Sequence, residues 1–468
     1  MQKYNPISKA IIQNLEKIVG VQNIFFDQET LNNYGHDETE NLNYPPEVLV
    51  KPQNTLQVGK IMNLSSQNNI PVTPIGARTG LSGGSLCVSG GIGLSMEKFN
   101  KILKIDEDNL QVVVEPGVVT QTLQEEVAKK GLYYAPDPAS KGSCFIGGNI
   151  AENSGGPRAV KYGVTKDFVL NIEVVLPSGE VINTGANTLK NSTGYNLTQL
   201  IVGSEGTLGI VTKATLKLLT LPKYNKLVLV AFNSALDACA AVSSIFKAGI
   251  VPSAMEFMDR LAVDFTIKHV DNAKLDMADE VEALLLIEVD GNNNEVLMSD
   301  LEKIIQVVEK HNCDQNILFA EDEAQKENLW FIRRRIGEAV KANSIYKEED
   351  TVVPRFELPS LLAGVKTIGA HYGFQTVCYG HAGDGNLHVN IIKGELTYKQ
   401  WNEELPKAIR EIFQLTVDLG GTISGEHGIG YVQKRYMDIP FSKVELDLMR
   451  SIKKTFDPKN ILNPNKMF

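Results

Sequence analysis

The sequence predicts an α+β protein of more than one domain, and two changes of texture along the chain predict it. Through residues 1 to 222, short apolar runs of β type ("GIGLSM", "LQVVVEPGV", "LNIEVVLPSGEVI", "TLGIVTKATLKLL") alternate with glycine-dense loops. Helices there are short, as in "TQTLQEEVAKKG". After "TLPKYNK" come "LVLVAF", "SALDACAAVSSIFKAG", "ALLLIEVDG" and "NEVLMSDLEKIIQVVEKHN", which read as a β-α-β unit, so a second domain is expected over 223–423. The glycine loops return near residue 420 ("LGGTISGEHGIG"), and a helical piece leads to "DPKNILNPNKMF", giving a third segment over 424–468. There is no internal repeat and no low-complexity stretch.

The chain of 468 residues is 43% apolar and 22% charged, enough for ordinary cores in two or three domains. Its net charge of −10 comes from interspersed acidic and basic residues, so neither a nucleic-acid footprint nor a polybasic membrane patch is indicated. Cys87, Cys144, Cys239, Cys313 and Cys378 show no CxxC spacing, against disulfides, an iron–sulfur cluster or a thiolate zinc site. The N-terminus reads as an amphipathic helix, and no apolar run has membrane-spanning length. The expectation is a cytoplasmic protein, or one peripheral to the inner membrane face.

Three glycine clusters carry the first chemical signal. "PIGARTGLSGGSL" (74–86) exposes backbone N–H groups, with Arg78, Thr79 and Ser82 as further donors, as an anionic diphosphate requires. "DPASKGSCFIGGNIAENSGGPRAVKYG" (137–163) and "VGSEGTLGIVT" (202–212) are the others. No GxGxxG follows a strand and no GxxxxGK[ST] is present, so neither a Rossmann site nor a P-loop is supported. Each cluster alone could be a set of β-turns; three within one domain point to a large ligand lying across several loops.

"VCYGHAGDGNLHVNII" (377–392) carries the second signal. With "GDGN" as a four-residue hairpin loop, Ala382 faces Leu387, His381 lies opposite His388 and Tyr379 opposite Asn390. Cross-strand Cβ atoms are about 5 Å apart, close enough for two imidazoles to share one metal ion. Leu387, Val389 and Ile391 would form the apolar face. The alternative is a histidine pair hydrogen-bonded within a core.

"PIGARTGLSGG", "DPASKGSCFIGGNIAENSGG", "KYGVTKDFVLNIEVVLPSGEVI" and "NLTQLIVGSEGTLGIVT" resemble, in order and spacing, the FAD domain of the vanillyl-alcohol oxidase and p-cresol methylhydroxylase superfamily. "CYGHAGDGNLHVN" and "SGEHGIG" resemble its D-2-hydroxy-acid dehydrogenase branch, which includes D-lactate dehydrogenases, glycolate oxidase catalytic subunits and D-2-hydroxyglutarate dehydrogenases. The resemblance covers nearly the whole chain. It implies a two-part FAD domain over 1–222 and 424–468, and an α+β cap over 223–423 with an antiparallel sheet. FAD would be held by Pro74, Gly76, Arg78, Thr79, Gly80, Ser82 and Gly83 around the pyrophosphate. Pro136, Asp137, Ser140, Gly147, Gly148, Asn149, Asn153 and Gly155 would line the rest of the cofactor, with Glu205, Gly206 and Ile210 at the adenosine end. Asn463, with Lys466, resembles the return of the chain to the flavin. Leu81 stands where covalent flavoproteins of the superfamily carry histidine, and the surroundings of Cys144 resemble those of non-covalent members, so dissociable FAD is expected.

The resemblance also implies a divalent-metal site of His381, His388 and Glu426, a ligand set that suits zinc, and iron or manganese less selectively. It assigns His427 the removal of the substrate hydroxyl proton and Arg333 the substrate carboxylate. Arg355 is similar to the second basic residue of lactate and glycolate members. The implied reaction is oxidation of a small D-2-hydroxy acid, D-lactate or glycolate ahead of D-2-hydroxyglutarate, to the 2-oxo acid. Electrons would leave to a quinone, a flavoprotein carrier, a separate iron–sulfur subunit or oxygen, and a homodimer is compatible with the reading. Outside this class stand a metal-dependent hydrolase using the two histidines and Glu426, and a subunit that binds FAD without catalysis. The hydrolase would leave the glycine loops without a ligand, and the silent subunit has no need of the two histidines, Glu426 and His427.

Overall fold

The computed structural model describes residues 4–314 and 317–468; residues 1–3, at the head of the first expected segment, lie outside the described residues. The chain forms two compact units. The first comprises the described residues up to Gly155, with Gly163–Leu221 and Glu426–Phe468; the second comprises Gly156–Tyr162 and Pro222–Gly425.

In the first unit, Ser8 starts the helix Lys9–Val19 by accepting a hydrogen bond from the Ile11 N–H. Ile11, Leu15 and Val19 recur at every fourth position and are buried. They share a core with Val58, Ile61 and Met62 of the helix Thr55–Asn68 and with a four-stranded sheet. That sheet has the order Ile24–Phe25, Val48–Val50, Ile92–Ser95, Val72–Ile75, the last three strands parallel. A five-stranded antiparallel sheet follows, in the order Ile102–Asp106, Gln111–Val114, Ile210–Lys217, Val169–Val175, Val181–Asn183. The end of the chain is tied beside the first glycine loop: Val72 N–H donates to Ile461 and Asn463 N–H donates to Val72, both at 2.8 Å.

The second unit is built on a seven-stranded antiparallel sheet, in the order Leu318–Phe319, Tyr224–Phe232, Ala283–Gly291, Ala254–Asp259, Gln375–Gly380, Asn386–Ile392, Tyr346–Val352. Strand alternation sends neighbouring side chains to opposite faces. Tyr379 packs among residues of the helices Arg260–His269 and Glu323–Asn343. Cys378 turns the other way, where the Lys366 ammonium of the helix Leu358–Tyr372 acts on its thiol. The segment 156–162, which the sequence reading placed with the FAD domain, belongs to this unit. Arg158 pairs with Glu288 at 2.7 Å, Lys161 with Asp290 at 2.5 Å, and the Tyr162 hydroxyl donates to Asp290 at 2.8 Å.

Candidate functional site

The second unit gathers a polar cluster on one face of its sheet. Asp322 caps the helix Glu323–Asn343, and Leu329, Ile336 and Val340 mark its buried stripe. Arg333 falls on that stripe and is buried, whereas Arg334 and Arg335 are not: Arg334 lies over the Trp330 ring and Arg335 pairs with Glu338. The Arg333 guanidinium meets the Glu256 carboxylate at 2.6 Å. Glu256 sits at 0% exposure within the all-buried strand Ala254–Asp259. Met258 pairs with Tyr379 in the sheet register, and continuing that register places Glu256 opposite His381. His381 Nδ1 lies 2.9 Å from both carboxylate oxygens of Glu256. Burial alone would raise the Glu256 pKa, but the charges of His381 and Arg333 outweigh it and hold the carboxyl below its usual range. An ionised carboxylate only accepts, so Nδ1 is the donor, and in the neutral form of the imidazole Nε2 keeps its lone pair for a ligand.

The hairpin carrying the histidines differs from the expected register by two residues. Tyr379, not His381, pairs with His388, and Val377, not Tyr379, pairs with Asn390. The strand ends at Gly380, and the turn is a 3₁₀ segment, Ala382–Asp384, closed by Gly385 at φ 84°. Asp384 and Asn386 N–H groups both donate to the His381 carbonyl at 3.2 Å, so His381 belongs to the turn. A slip of two preserves strand parity. His381 and His388 therefore still share a face, with ring centroids 5.5 Å apart and planes at 83°. Leu387, Val389 and Ile391 are fully buried, as expected of the opposite face.

Two further carboxylates flank His388: its Nδ1 lies 3.7 Å from both Glu348 and Asp350. The Tyr379 hydroxyl donates to Glu348 at 3.4 Å, and burial, then the Glu348 charge, raises its pKa well above the usual value. Asp350 accepts hydrogen bonds from Asn386 Nδ2 (2.7 Å), Ser424 Oγ (2.9 Å) and Gly425 N–H (2.8 Å). Arg355 is not brought to this cluster. Its guanidinium stacks 3.8 Å from the Phe246 ring of the helix Ala235–Lys247, which packs against the helix bearing Lys366 on the other side of the sheet. Glu256 and Asp350 had no signal in the sequence: Glu256 reads as one acidic residue in an apolar run, and Asp350 as the last of three consecutive acidic residues.

The first unit holds a cavity of about 250 Å³. Of the expected cofactor residues, Pro74, Gly76, Arg78, Thr79, Gly80, Ser140, Gly147, Gly148, Asn149, Glu205, Gly206, Ile210 and Asn463 line it, together with Leu81, Glu152, Glu426 and His427. A Cβ at Gly80 or Gly148 would meet nothing within 4 Å, and one at Gly76 would come 4.0 Å from Gly148. Those open glycine backbones are what a flat, anionic dinucleotide needs, so the residues fit FAD. The other expected residues, Ser82, Gly83, Pro136, Asp137, Asn153 and Gly155, do not line this cavity. Ser82 accepts from Tyr431 N–H at 2.8 Å, Gly83 from Lys466 Nζ at 2.7 Å, and Pro136 from Gln124 at 2.9 Å. Asp137 lies 3.9 Å from Lys141, Asn153 caps the helix Ile146–Glu152 in the left-handed region, and Gly155 leaves room for the Glu426 carboxylate.

Asn463 Nδ2 donates to Gly84 and Glu205 carbonyls at 3.1 and 2.8 Å, and Lys466 Nζ to Gly83, Gly84 and Leu86, so the chain end clasps the first loop. Burial lowers the Lys466 pKa to about 8. Glu205 accepts from Ile429 and Gly430 N–H groups at 2.7 and 2.6 Å, fixing the turn after His427. Burial pushes the Glu152 carboxyl well above its usual pKa, and the charges of Glu205 and Asp37 add to it. Cys144 is buried, with its sulfur 3.3 Å from the Thr120 hydroxyl.

Comparison with known proteins gives two family matches: an FAD binding domain over residues 46–185, and the C-terminal domain of FAD linked oxidases over 221–467. The glycolate oxidase subunit GlcD of Bacillus subtilis (strain 168) is 38% identical over 99% of this chain and 97% of its own. The D-lactate dehydrogenase of Anaerostipes hadrus is 36% identical (99% and 98%), and the D-2-hydroxyglutarate dehydrogenase of Stutzerimonas stutzeri (strain A1501) 33% (98% and 99%). Among solved structures, p-cresol methylhydroxylase with substrate bound superposes with a TM-score of 0.80 at 18% identity, covering 100% of this chain and 98% of that one. The shared feature is the fold.

Proposed function

The chain belongs to the FAD-linked oxidases, and from that membership we propose that it oxidises a small D-2-hydroxy acid, D-lactate or glycolate, to the 2-oxo acid. The observation that carries the reading is the convergence of Arg333 and His381 on buried Glu256, with His388 on the same face. FAD supplies the acceptor for hydride from the substrate C2, and a divalent metal, zinc by the donor set, supplies polarisation of the substrate oxygens. Arg333 binds the substrate carboxylate through its guanidinium. His381, His388 and Glu426 are the proposed metal ligands. Support for Glu426 comes from connectivity: it directly follows Gly425, whose N–H is anchored to Asp350, the register partner of His388. His427, half-buried on the cavity wall, takes the hydroxyl proton. Arg355, stacked on Phe246, is left out of the carboxylate site.

FAD is proposed to be dissociable. Leu81 offers no nucleophile to it, and Cys144, which also lines the cavity, has its sulfur 3.3 Å from the Thr120 hydroxyl. No helix among the described residues is long and apolar enough to cross a membrane. The reaction is tested by supplying FAD, zinc and an artificial electron acceptor and assaying the 2-oxo acid. D-lactate or glycolate should give pyruvate or glyoxylate and L-lactate should give none; equal rates with both lactate enantiomers would reject the reading.

A further inference from the structure

We propose that Glu256 is a positioning residue that locks Arg333 and His381 to one another, so that binding of the divalent ion and of the substrate carboxylate both depend on one buried side chain. The inference rests on the reading of Arg333 and His381 given above. One oxygen of Glu256 faces His381 at 2.9 Å, and the other is shared between His381 at 2.9 Å and the Arg333 guanidinium at 2.6 Å. Its strand is paired on both sides and every residue of it is buried, so the carboxylate is held by its backbone as well as by its partners.

A sheet interior gains nothing from a charge on its own account, because burying an ion pair costs about as much as its attraction returns. Apart from Asp259 at its end, which caps the next helix and pairs with Lys366, the strand otherwise carries Ala254, Met255, Phe257 and Met258. The geometry explains the exception. Accepting from Nδ1 fixes the His381 tautomer and raises the basicity of Nε2, the effect that outer carboxylates have on metal-ligating histidines. The ion pair with Glu256 holds one end of Arg333 and the Tyr379 ring lies 5.0 Å from the guanidinium carbon, while Nε and Nη2 have no hydrogen-bond partner among the described residues. A donor therefore remains for a ligand carboxylate.

The test uses the full-length, FAD-loaded protein with Glu256→Gln, which keeps the shape and removes the charge. Zinc affinity is measured by competition with a chelator, and KM and kcat for D-lactate in parallel, with the melting temperature as a check of folding. Glu256→Gln should weaken zinc by about 10- to 100-fold and raise KM, with the flavin spectrum unchanged. Should that variant not fold, Glu256→Asp, which keeps the charge and retracts it, should also lose at least about tenfold in zinc affinity. A second variant separates the arms: Arg333→Met should raise KM while leaving zinc affinity within about threefold. A folded Glu256→Gln protein with unaltered zinc affinity overturns the proposal alone. An unsubstituted protein that binds no zinc overturns it together with the metal site on which it rests.

Discussion

Tyr379 and His388 face each other across the hairpin, their ring centroids 5.3 Å apart, with the Tyr379 hydroxyl turned to Glu348. Since burial keeps that phenol protonated through neutral pH, Tyr379 is a fixed donor beside a proposed metal ligand. His388→Ala should abolish turnover and metal retention while FAD stays bound, as metal analysis and the flavin spectrum of one preparation would show. Tyr379→Phe should cost stability of about 1 kcal/mol and retain the metal. A His388→Ala protein that keeps both metal and full activity would remove the hairpin from the site.

His427 is placed on the wall of the first unit's cavity, and its following turn is held by Glu205. His427→Ala should leave FAD and metal contents intact and slow flavin reduction by about 10²- to 10⁴-fold, the usual contribution of a general base. Rapid-mixing measurement of the flavin bleaching rate reads this directly.

Gly80 and Gly148 leave open space where a side chain would project. Gly80→Val should therefore yield a folded, colourless protein, with a circular dichroism spectrum like that of the unsubstituted apoprotein and FAD affinity lowered by at least about tenfold, roughly 1.4 kcal/mol. Retention of bound FAD would place the cofactor elsewhere.

Glu152 provides a pH test with a definite sign. Its folded pKa is raised by burial, then by Glu205 and Asp37, against the lowering effect of Lys466. Below the unfolded value both states are protonated and the stability is complete; as pH rises through the folded value it is lost, because a buried group must ionise. Glu152→Gln should thus match the unsubstituted protein's melting temperature near pH 4.5 and exceed it increasingly toward pH 8. The gap should grow by at most about 1.4 kcal/mol for each pH unit. A variant less stable at pH 8 than at pH 5, relative to the parent, would contradict the assignment.

Much of the site was legible because its signals are local. Glycine loops expose backbone donors wherever they lie, so Gly76, Gly80, Gly147 and Gly148, which line one cavity, could be singled out without knowing the fold. The histidine hairpin was misread by two residues, since a 3₁₀ turn through Ala382–Asp384 takes up His381; parity alone preserved the shared face. Arg333 was assigned by the resemblance, and the structure separates it from its two neighbours by its burial on the Leu329–Ile336 stripe. Long-range contacts had no local trace. Glu256 meets a histidine 125 residues away, Asp290 draws the segment 156–162 out of the expected FAD domain, and Phe246 captures Arg355.

D-2-hydroxy-acid oxidation would be read directly in the visible spectrum of the FAD-loaded, zinc-loaded protein, recorded anaerobically before and after D-lactate or glycolate, with L-lactate and D-2-hydroxyglutarate as comparisons. The oxidised flavin bands should be lost with D-lactate or glycolate, stay unchanged with L-lactate, and respond more slowly or not at all to D-2-hydroxyglutarate. A fully loaded flavin that no 2-hydroxy acid bleaches would contradict the proposed oxidation.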